Sequence, residues 1–326
     1  MYITMAHGSG GKETSELIEN LFAEYFHNEI LLEMEDAAVC ETNGKIAFTT
    51  DSFVIDPLIF RGGDIGKLAV CGTVNDLLMR GSYPKYLTVG FIIEEGLKVE
   101  LLERIVISMA LTAKQAGVLI VAGDTKVIEG KGGLYINTSG IGLLNQKTSI
   151  SSSNCKEGDA VLLSGTLGEH HACILGHRMN IESNISSDVQ PLNKPVFNLL
   201  EHSIRIKAMR DITRGGLATI LNELAQRSQC GMDIYEDNIP VNEEIQVFCS
   251  ILGLDPMYMS NEGKFIVVVD RKDTDTALEL MHQTLEGKNA TLIGYIKKEK
   301  GIRLITKLGA RRNIDMLYGE SLPRIC

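Results

Sequence analysis

The sequence predicts an α/β protein with α+β layering, built from two domains. Apolar strand candidates alternate with helix candidates in both halves of the chain, which is typical of folds that pack helices against sheets. The 326 residues exceed one ordinary hydrophobic core, and a serine-rich stretch at 148–154 separates the two halves. We therefore expect domains at 1–150 and 151–307, followed by a tail at 308–326.

The first half contains a series of predicted helices and strands joined by short polar turns. The helix at 64–80 is apolar around much of its circumference, which is typical of a helix buried on several sides. One strand is expected to stop at Asp51, and another at Gly123. The full series is helix 13–26, strand 45–50, helix 64–80, strand 86–93, helix 99–116, strand 118–122 and strand 133–143.

The second half continues the alternation. A helix after Gly168 carries His170 and His171, but neighbouring helical residues point about 100° apart, so these two histidines do not form the i, i+4 pair of a zinc site. The other predicted elements are strand 160–164, helices 195–204 and 217–227, strand 265–269, helix 274–285, and strands 291–297 and 302–306.

Composition disfavours two classes of partner. Hydrophobic residues make up 44% of the chain and charged residues 23%, as in ordinary globular proteins. The net charge of −10 disfavours a nucleic-acid or anionic-membrane surface, which would need a dense basic patch. The first 12 residues lack the basic start and apolar run of a signal peptide, and no apolar run is long enough to span a bilayer. We expect a cytoplasmic protein.

The cysteines indicate reduced thiols with one exception. There are seven, an odd number, scattered and without a Cys-x-x-Cys pair, so most are expected to be small core residues. Cys326 is the last residue, and no chain continues beyond it to pack it. A prenylation box requires the cysteine four places from the end, which this tail lacks. The tail alone leaves open whether this thiol is reactive or incidental.

A glycine-rich segment, HGSGGK at 7–12, runs directly into the first predicted helix. Glycines before a helix N-terminus allow backbone N–H groups to close around an anion. It is not a Walker A loop, because Ala6 and Glu13 stand where that motif needs glycine and Ser or Thr. A flexible N-terminus would have the same composition.

Several acidic residues stand where a ligand could bind. A carboxylate such as Asp76 in an apolar helix is costly to bury unless it is paired, hydrogen-bonded or bound to a metal, although Arg80 at i+4 could pair with it. Asp124 and Lys126 could serve phosphate, metal or substrate, or form a simple salt bridge. Acids at strand ends such as Asp51 are ligands in some sheets and turn residues in others.

The second half adds a motif, RDITRGG at 210–216, immediately before a helix. Asp211 and Thr213 are ordinary helix caps, but two arginines and two glycines beside them favour an anion or metal–phosphate site. Glu262 stands at a turn before the strand at 265–269, where it is either a solvated acid or a functional one.

These segments together resemble the superfamily of aminoimidazole ribonucleotide synthetase, selenophosphate synthetase and thiamin-monophosphate kinase. Within it the sequence is most similar to the HypE family, the carbamoyl dehydratases of nickel–iron hydrogenase maturation. The resemblance covers nearly the whole chain. It rests on the ordered set HGSGGK, EDAAV, TDSFVIDPL, GGDIGKLAVCGTVNDLLMRG, AGDTK, RDITRGGLATILNELA, NEGKF and the PRIC ending.

The resemblance implies a site as well as a fold. It implies two domains of the aminoimidazole ribonucleotide synthetase type, with strands of the first forming a homodimer and ATP bound near the interface with Mg²⁺. Mg²⁺ prefers hard oxygen ligands and completes its shell with phosphate and water. The implied metal ligands are Asp36, Asp51, Asp76 and Asp211; the implied nucleotide-binding residues are Gly8, Gly10, Gly11, Lys12, Asp51, Asp124 and Thr213.

The resemblance also implies a reaction at Cys326. A HypF-like carbamoyltransferase would carbamoylate this thiol, and ATP-dependent dehydration would convert the thiocarboxamide into a thiocyanate. Glu262, and after it Lys126, would take the nitrogen protons. The cyanide would pass to iron on a HypC–HypD-like scaffold complex.

Three alternatives remain at this point. Selenophosphate synthetases carry their reactive Cys or selenocysteine in the N-terminal glycine-rich loop, whereas the first cysteine here is Cys40. Thiamin-monophosphate kinase fits the acidic motifs but gives a terminal thiol no role. A non-catalytic carrier of a thiol-bound group would leave the acids and the phosphate loop without a role.

Overall fold

The structure is a computed structural model and describes residues 2–8, 12–33, 44–145 and 149–316. Four residues of the implied site, Gly10, Gly11, Asp36 and Cys326, lie outside the described residues. Two sheets dominate the fold: a four-stranded sheet in the first half and a seven-stranded sheet in the second. The predicted mixed α/β layering is confirmed. Within the described residues, no helix has both the length and the apolar character that crossing a membrane requires.

The first half is built on a sheet of order β1-β6-β4-β5, in which only β4 and β5 are parallel. Helix α3 makes the crossover that this parallel pair requires. The helices are α1 Lys12–Leu17, which continues as a π-helix Ile18–Ala23, α2 Ile65–Met79 and α3 Val99–Ala116; the strands are β1 Lys45–Phe53, β2 Ile59–Phe60, β3 Gly63–Asp64, β4 Ser82–Glu94, β5 Leu119–Ile128 and β6 Leu134–Leu144.

Helices α2 and α3 cover one face of this sheet. Helix α3 is amphipathic: Leu102, Ile105, Met109 and Ala113 recur at helical spacing and are buried. Helix α2 is buried on nearly all sides because it also packs against strand β8 of the second half. Its N-terminus is capped by the Asp64 carboxylate, which accepts a hydrogen bond from the Lys67 N–H at 2.9 Å.

The other face of the four-stranded sheet, which we call the outer face, has no cover among the described residues. Apolar side chains on its strands are between 40% and 67% exposed. An apolar surface of this kind usually marks an interaction site. The exposed apolar side chains of the outer face are Ile46, Phe48, Ile92, Leu119 and Ile128.

The second half has a sheet of order β13-β12-β9-β11-β7-β10-β8, in which only β9 and β12 are parallel. The strands are β7 Ala160–Leu163, β8 Ile206–Asp211, β9 Gly231–Tyr235, β10 Phe265–Val269, β11 Thr291–Lys297, β12 Gly301–Ile305 and β13 Arg311–Asn313; the helices are α4 Glu169–Arg178, α5 Asn193–Glu201, α6 Gly216–Ser228, α7 Glu243–Leu252 and α8 Thr274–His282.

Strand β10 lies between two cores. Its residues are all fully buried, and alternate side chains face opposite sides of the sheet. Ile266 and Val268 pack in the core under α6, whereas Val267 and Val269 join the core of α5 and α8. That second core is continuous with the core of the first half, so the two halves share one apolar cluster.

Two predicted strands end later in the structure than the sequence indicated, and the sequence interpretation missed other strands. Strand β1 continues through Asp51 to Phe53, because β6 pairs with it along its whole length. Strand β5 continues through Asp124 and Lys126 to Ile128 because β4 pairs with it there. The sequence interpretation placed no strand at 206–211 and none in the predicted tail, yet β8 and β13 form there as ladder partners of β10 and β12.

Candidate active site

Two predicted metal ligands lie together beneath strand β1. Asp51 points from the inner face of β1 towards α2, where Asp76 stands, and the negative charge of Asp76 acts on Asp51. Thr49 Oγ1 donates to Asp76 Oδ2 at 2.8 Å. Burial, reinforced by the Asp76 charge, raises the pKa of Asp51 to about 6, and burial also raises the pKa of Asp76. Both carboxyl groups are therefore harder to ionise than exposed aspartates.

The other two acids come from the second half. Asp211 is the last residue of β8 and pairs across the ladder with Phe265, the first residue of β10. The Ile212 N–H donates to the Lys264 carbonyl at 3.0 Å, and the Asn261 N–H donates to the Ile212 carbonyl at 3.0 Å. These two bonds hold the Glu262 turn beside Asp211.

The charges of the four acids act on one another across the boundary between the two halves. Burial, followed by the negative charge of Asp76, raises the pKa of Asp211 to about 7. Burial also raises the pKa of Glu262 well above its usual range, with further contributions from Asp188, Asp211 and Asp51. Concentrated buried negative charge of this kind is costly without a counterion.

Two arginines partly offset this charge. Arg210 Nη2 lies 2.6 Å from Glu223 Oε2. The positive charge of Arg210 opposes part of the rise in the pKa of Asp76 and Asp211. Arg214 acts in the same direction on Asp51 and Glu262.

Glycines let the start of α6 pack closely against the backbone of Met257 and Tyr258. Gly215 and Gly216 both have positive φ, at 77° and 64°. A Cβ at Gly216 would come within 2.5 Å of the Met257 carbonyl oxygen. The Thr213 carbonyl accepts the Gly216 N–H at 3.0 Å, which closes the turn before the helix.

A cleft of about 330 Å³ opens between the two halves beside the acids. Its size is at the lower end of the range for small-molecule sites. Asp76 and Arg80 line the cleft from the first half, and Arg210 and Asp211 line it from the second. The lining includes Thr49, Asp76, Arg80, Ser151, Ser152, Arg210, Asp211 and Arg227.

The acids suit a magnesium ion in chemistry and charge. Carboxylate oxygens are the hard ligands that Mg²⁺ prefers, and a divalent cation would offset the repulsion between the charges of Asp51 and Asp76. Among the described residues, no three His, Cys, Asp or Glu side chains are already grouped as a metal site. Asp36, the remaining implied ligand, lies outside them.

Asp124 and Lys126 lie elsewhere in the protomer. Strand β5 is at the opposite edge of the sheet from β1, three strand spacings or about 14 Å away. Both side chains are on the outer face, whereas Asp51 is on the inner face. The structure therefore does not bring Lys126 to Glu262 within one protomer. The short helix Met5–Gly8, which leads into the glycine-rich segment, contacts β5.

Comparison with known proteins decides the family. The model of the AIR synthase related protein N-terminal domain matches residues 34–144, and that of the C-terminal domain matches 156–307. The carbamoyl dehydratase HypE of Rhodobacter capsulatus is 43% identical over 99% of this chain and 98% of its own length. The corresponding HypE of Escherichia coli (strain K12) is 42% identical over 99% of both chains. This chain belongs to the HypE family.

Solved structures agree with that assignment. Hydrogenase maturation protein HypE in complex with ATP matches with a TM-score of 0.95 and 42% identity, over 99% of both chains. The HypE–HypF complex matches with a TM-score of 0.82 and 48% identity, over 92% of this chain and 99% of the other. Thiamine-monophosphate kinase from Stenotrophomonas maltophilia K279a, at 19% identity and a TM-score of 0.72, shares the fold alone.

Proposed function

We propose that this chain is an ATP-dependent carbamoyl dehydratase, which converts a thiocarboxamide on Cys326 into a thiocyanate. The full-length similarity to HypE proteins supports this activity, and so does the similarity to a HypE that binds ATP. The structural observation that carries the proposal is the group of half-buried acids Asp51, Asp76, Asp211 and Glu262 between the two halves, each with a raised pKa.

The reaction transfers the amide oxygen to phosphate. The oxygen of R–S–C(=O)–NH₂ attacks the γ-phosphorus of ATP, the bond from that phosphorus to the bridging oxygen breaks, and ADP leaves. Two protons then leave the nitrogen while the C–O bond breaks, which yields R–S–C≡N and inorganic phosphate. Phosphorylation is needed because an amide oxygen is a poor leaving group.

Each acid has a proposed part. Asp51, Asp76 and Asp211, with Asp36, would hold Mg²⁺, which when bound offsets charge on the transferred phosphoryl group. Glu262 accepts the nitrogen protons, because a carboxyl group of raised pKa is a stronger base once ionised. Gly8, Gly10, Gly11, Lys12, Asp124 and Thr213 remain the proposed nucleotide-binding residues, and Lys126 the second candidate base.

A homodimer would complete this site. Gly8, Asp124 and Lys126 belong to the β5 edge, while the acid cluster lies on the opposite face of the sheet near β1. Two copies joined through the outer face would bury its exposed apolar side chains. In that arrangement the β5 edge of one copy could reach the acids of the other, which would reconcile the two separated groups of implied residues.

The proposed setting is hydrogenase maturation in the cytoplasm. A HypF-like carbamoyltransferase would load Cys326; the similarity to the HypE–HypF complex supports this partner. A HypC–HypD-like iron scaffold would receive the cyanide, as the implied function requires.

Mass spectrometry of the C-terminal peptide tests the activity. The full-length chain, carbamoylated on Cys326, should lose one water from that peptide when Mg-ATP is added. A non-hydrolysable ATP analogue should leave the carboxamide intact, and a Cys326→Ser chain should carry neither group. Retention of the carboxamide with Mg-ATP would refute the dehydratase and favour a thiol carrier.

A further inference from the structure

A buried ion pair lies directly beneath the proposed base. The Glu262 N–H and the Gly263 N–H donate to the two carboxylate oxygens of Asp188, each at 3.1 Å. Lys264 Nζ donates to Asp188 Oδ2 at 3.0 Å. The side chains of Asp188 and Lys264 are only 4% and 9% exposed. The backbone that carries Glu262 is therefore attached to one fixed carboxylate.

The charge state of Asp188 suits this role. Burial alone would raise its pKa, but the Lys264 ammonium and the backbone donors lower the pKa of Asp188 below its usual value. The carboxylate is thus ionised and accepts all three bonds at neutral pH. Charge-assisted bonds of this type are stronger than neutral ones and fix geometry more tightly.

The same segment also binds the helix of Asp76. Asn75, which precedes Asp76 and is 3% exposed, donates from Nδ2 to the Gln190 carbonyl at 3.1 Å. Its Oδ1 accepts the Leu192 N–H at 2.9 Å. Gln190 Nε2 in turn donates to the Gly263 carbonyl at 3.2 Å. Residues 187–192 therefore contact both the helix of a proposed metal ligand and the turn of the proposed base.

Close packing leaves this connection little freedom. A Cβ at Gly263 would come within 2.0 Å of the Asp188 carbonyl oxygen, so the turn and the 187–192 segment are in backbone contact. On the side of the first half, the Ser187 N–H donates to the Arg61 carbonyl at 2.9 Å. Because the 187–192 segment is bonded both to the first half and to the Glu262 turn, it keeps the distance between Asp76 and Glu262 constant.

We propose that Asp188 is a positioning residue, which through the 187–192 segment fixes Glu262 relative to Asp76 and so sets the base at a constant distance from the phosphoryl-transfer site. This inference rests on the proposed dehydration. Phosphoryl transfer and proton removal involve residues from different halves of the chain. The alignment of those residues depends on the buried carboxylate of Asp188 and the buried amide of Asn75. A misplacement of about 1 Å can cost roughly 100-fold in rate.

Asp188→Asn is the first test. It keeps the shape of the side chain but replaces one acceptor oxygen with a donor, so a turn N–H loses its partner. We expect single-turnover dehydration of carbamoylated chain at saturating Mg-ATP to slow by roughly 100-fold, while the affinity for Mg-ATP stays within twofold. Asp273→Asn is the matched control, because Asp273 also accepts a backbone N–H and pairs with an arginine, Arg205, at 2.8 Å away from the site.

A second variant separates positioning from folding. Asp188→Asn leaves Lys264 buried without its counterion, which destabilises the fold. Asp188→Asn with Lys264→Met removes that charge, so it should recover thermal stability without recovering the rate. Gln190→Met, which leaves the ion pair intact and removes only the contact to Gly263, should slow dehydration by a smaller factor.

The outcomes distinguish the two proposals. If wild-type protein fails to lose water, the proposed function is wrong. If wild-type protein reacts and folded Asp188→Asn, or the folded double variant, reacts at the wild-type rate, the positioning role is wrong. A rate loss matched by an equal loss of Mg-ATP affinity would also overturn it, because that pattern indicates general damage to the site.

Discussion

At the scale of single residues, Glu262 is the sharpest test of the proposed chemistry. Its burial among Asp188, Asp211 and Asp51 raises its pKa, which makes it a stronger base than a surface glutamate. Glu262→Gln should reduce dehydration by about 10²- to 10⁴-fold and leave Mg-ATP binding intact. Single-turnover kinetics with the carbamoylated chain measure the first effect, and calorimetry measures the second.

Glu279→Gln, on the exposed side of α8, is the control for that substitution and should behave as wild type. If the Glu262→Gln chain dehydrates at the full rate, Glu262 is not the base, and Lys126 is the next candidate.

A second prediction at this scale concerns pH. Asp51, Asp76, Asp211 and Glu262 all have raised pKa values in the fold, so each binds its proton more tightly folded than unfolded. Their contribution to stability is complete below the unfolded pKa, near 4, and is lost as pH rises through the folded values, about 6 for Asp51 and about 7 for Asp211. Metal-free protein should therefore lose stability as the pH rises from about 4 to about 7.

Thermal unfolding with a chelator measures this slope. Asp51→Asn should make stability less dependent on pH. The variant removes one proton-binding group and also removes a negative charge next to Asp76. Mg²⁺ should restore stability most strongly at the upper end of the range, where the carboxylates are free of protons. A wild-type slope equal to that of Asp51→Asn would contradict the coupling of these acids.

The sequence pointed to these acids more directly than to the residues that support them. Asp51, Asp76, Asp211 and Glu262 stand in the motifs that carry the family resemblance, and in the structure their charges act on one another. Asp188 carries no such signal: it lies in a polar loop, and its partners are the backbone N–H groups of residues more than 70 positions later. Backbone donors are the same in every sequence, so such contacts appear only when the chain is folded.

At the scale of elements, strong periodicity made prediction accurate. Helix α3 and strands β10 and β11 have the predicted ends, because each combines a regular apolar pattern with polar residues at its limits. Strands β1 and β5 run past polar residues that the sequence interpretation took as stops. Both strands extend because a neighbouring strand supplies backbone hydrogen-bond partners. The local sequence does not indicate which strand will be that neighbour.

The start of α6 gives a prediction at this scale. Gly216→Ala would force a side chain into a positive-φ position and against the Met257 carbonyl. Gly158→Ala is the matched control, because Gly158 also has positive φ, at 90°, but has open space around its Cβ position. We expect about 1 kcal/mol of destabilisation for the control and about 1–3 kcal/mol more for Gly216→Ala, from the added clash.

Urea unfolding measures both variants, and Mg-ATP affinity should fall only for Gly216→Ala, because only that turn carries Thr213 and Arg214 beside the acids. Equal destabilisation of the two variants would show that the turn relaxes away from Met257 without cost.

At the scale of the whole molecule, the two separated groups of implied residues make the proposed homodimer part of the proposed mechanism. The acid cluster lies on the inner side of one sheet, and the β5 edge with Asp124 and Lys126 lies on its outer side. A site composed of both groups needs a second copy. Dissociating the dimer should therefore abolish dehydration even though every acid of the cluster stays in place.

Ile92→Asp is the substitution that tests this dependence. Ile92 is 43% exposed on the outer face, on the inner strand β4, where a carboxylate would be tolerated in a monomer but desolvated in a dimer. We expect sedimentation to show a folded monomer with less than about one hundredth of the wild-type dehydration rate, since burying an unpaired charge costs several kcal/mol. Ile251→Asp, on α7 and 75% exposed, should leave both properties unchanged. A monomeric Ile92→Asp chain with full activity would place the complete site within one copy, and Lys126 would then have no part in it.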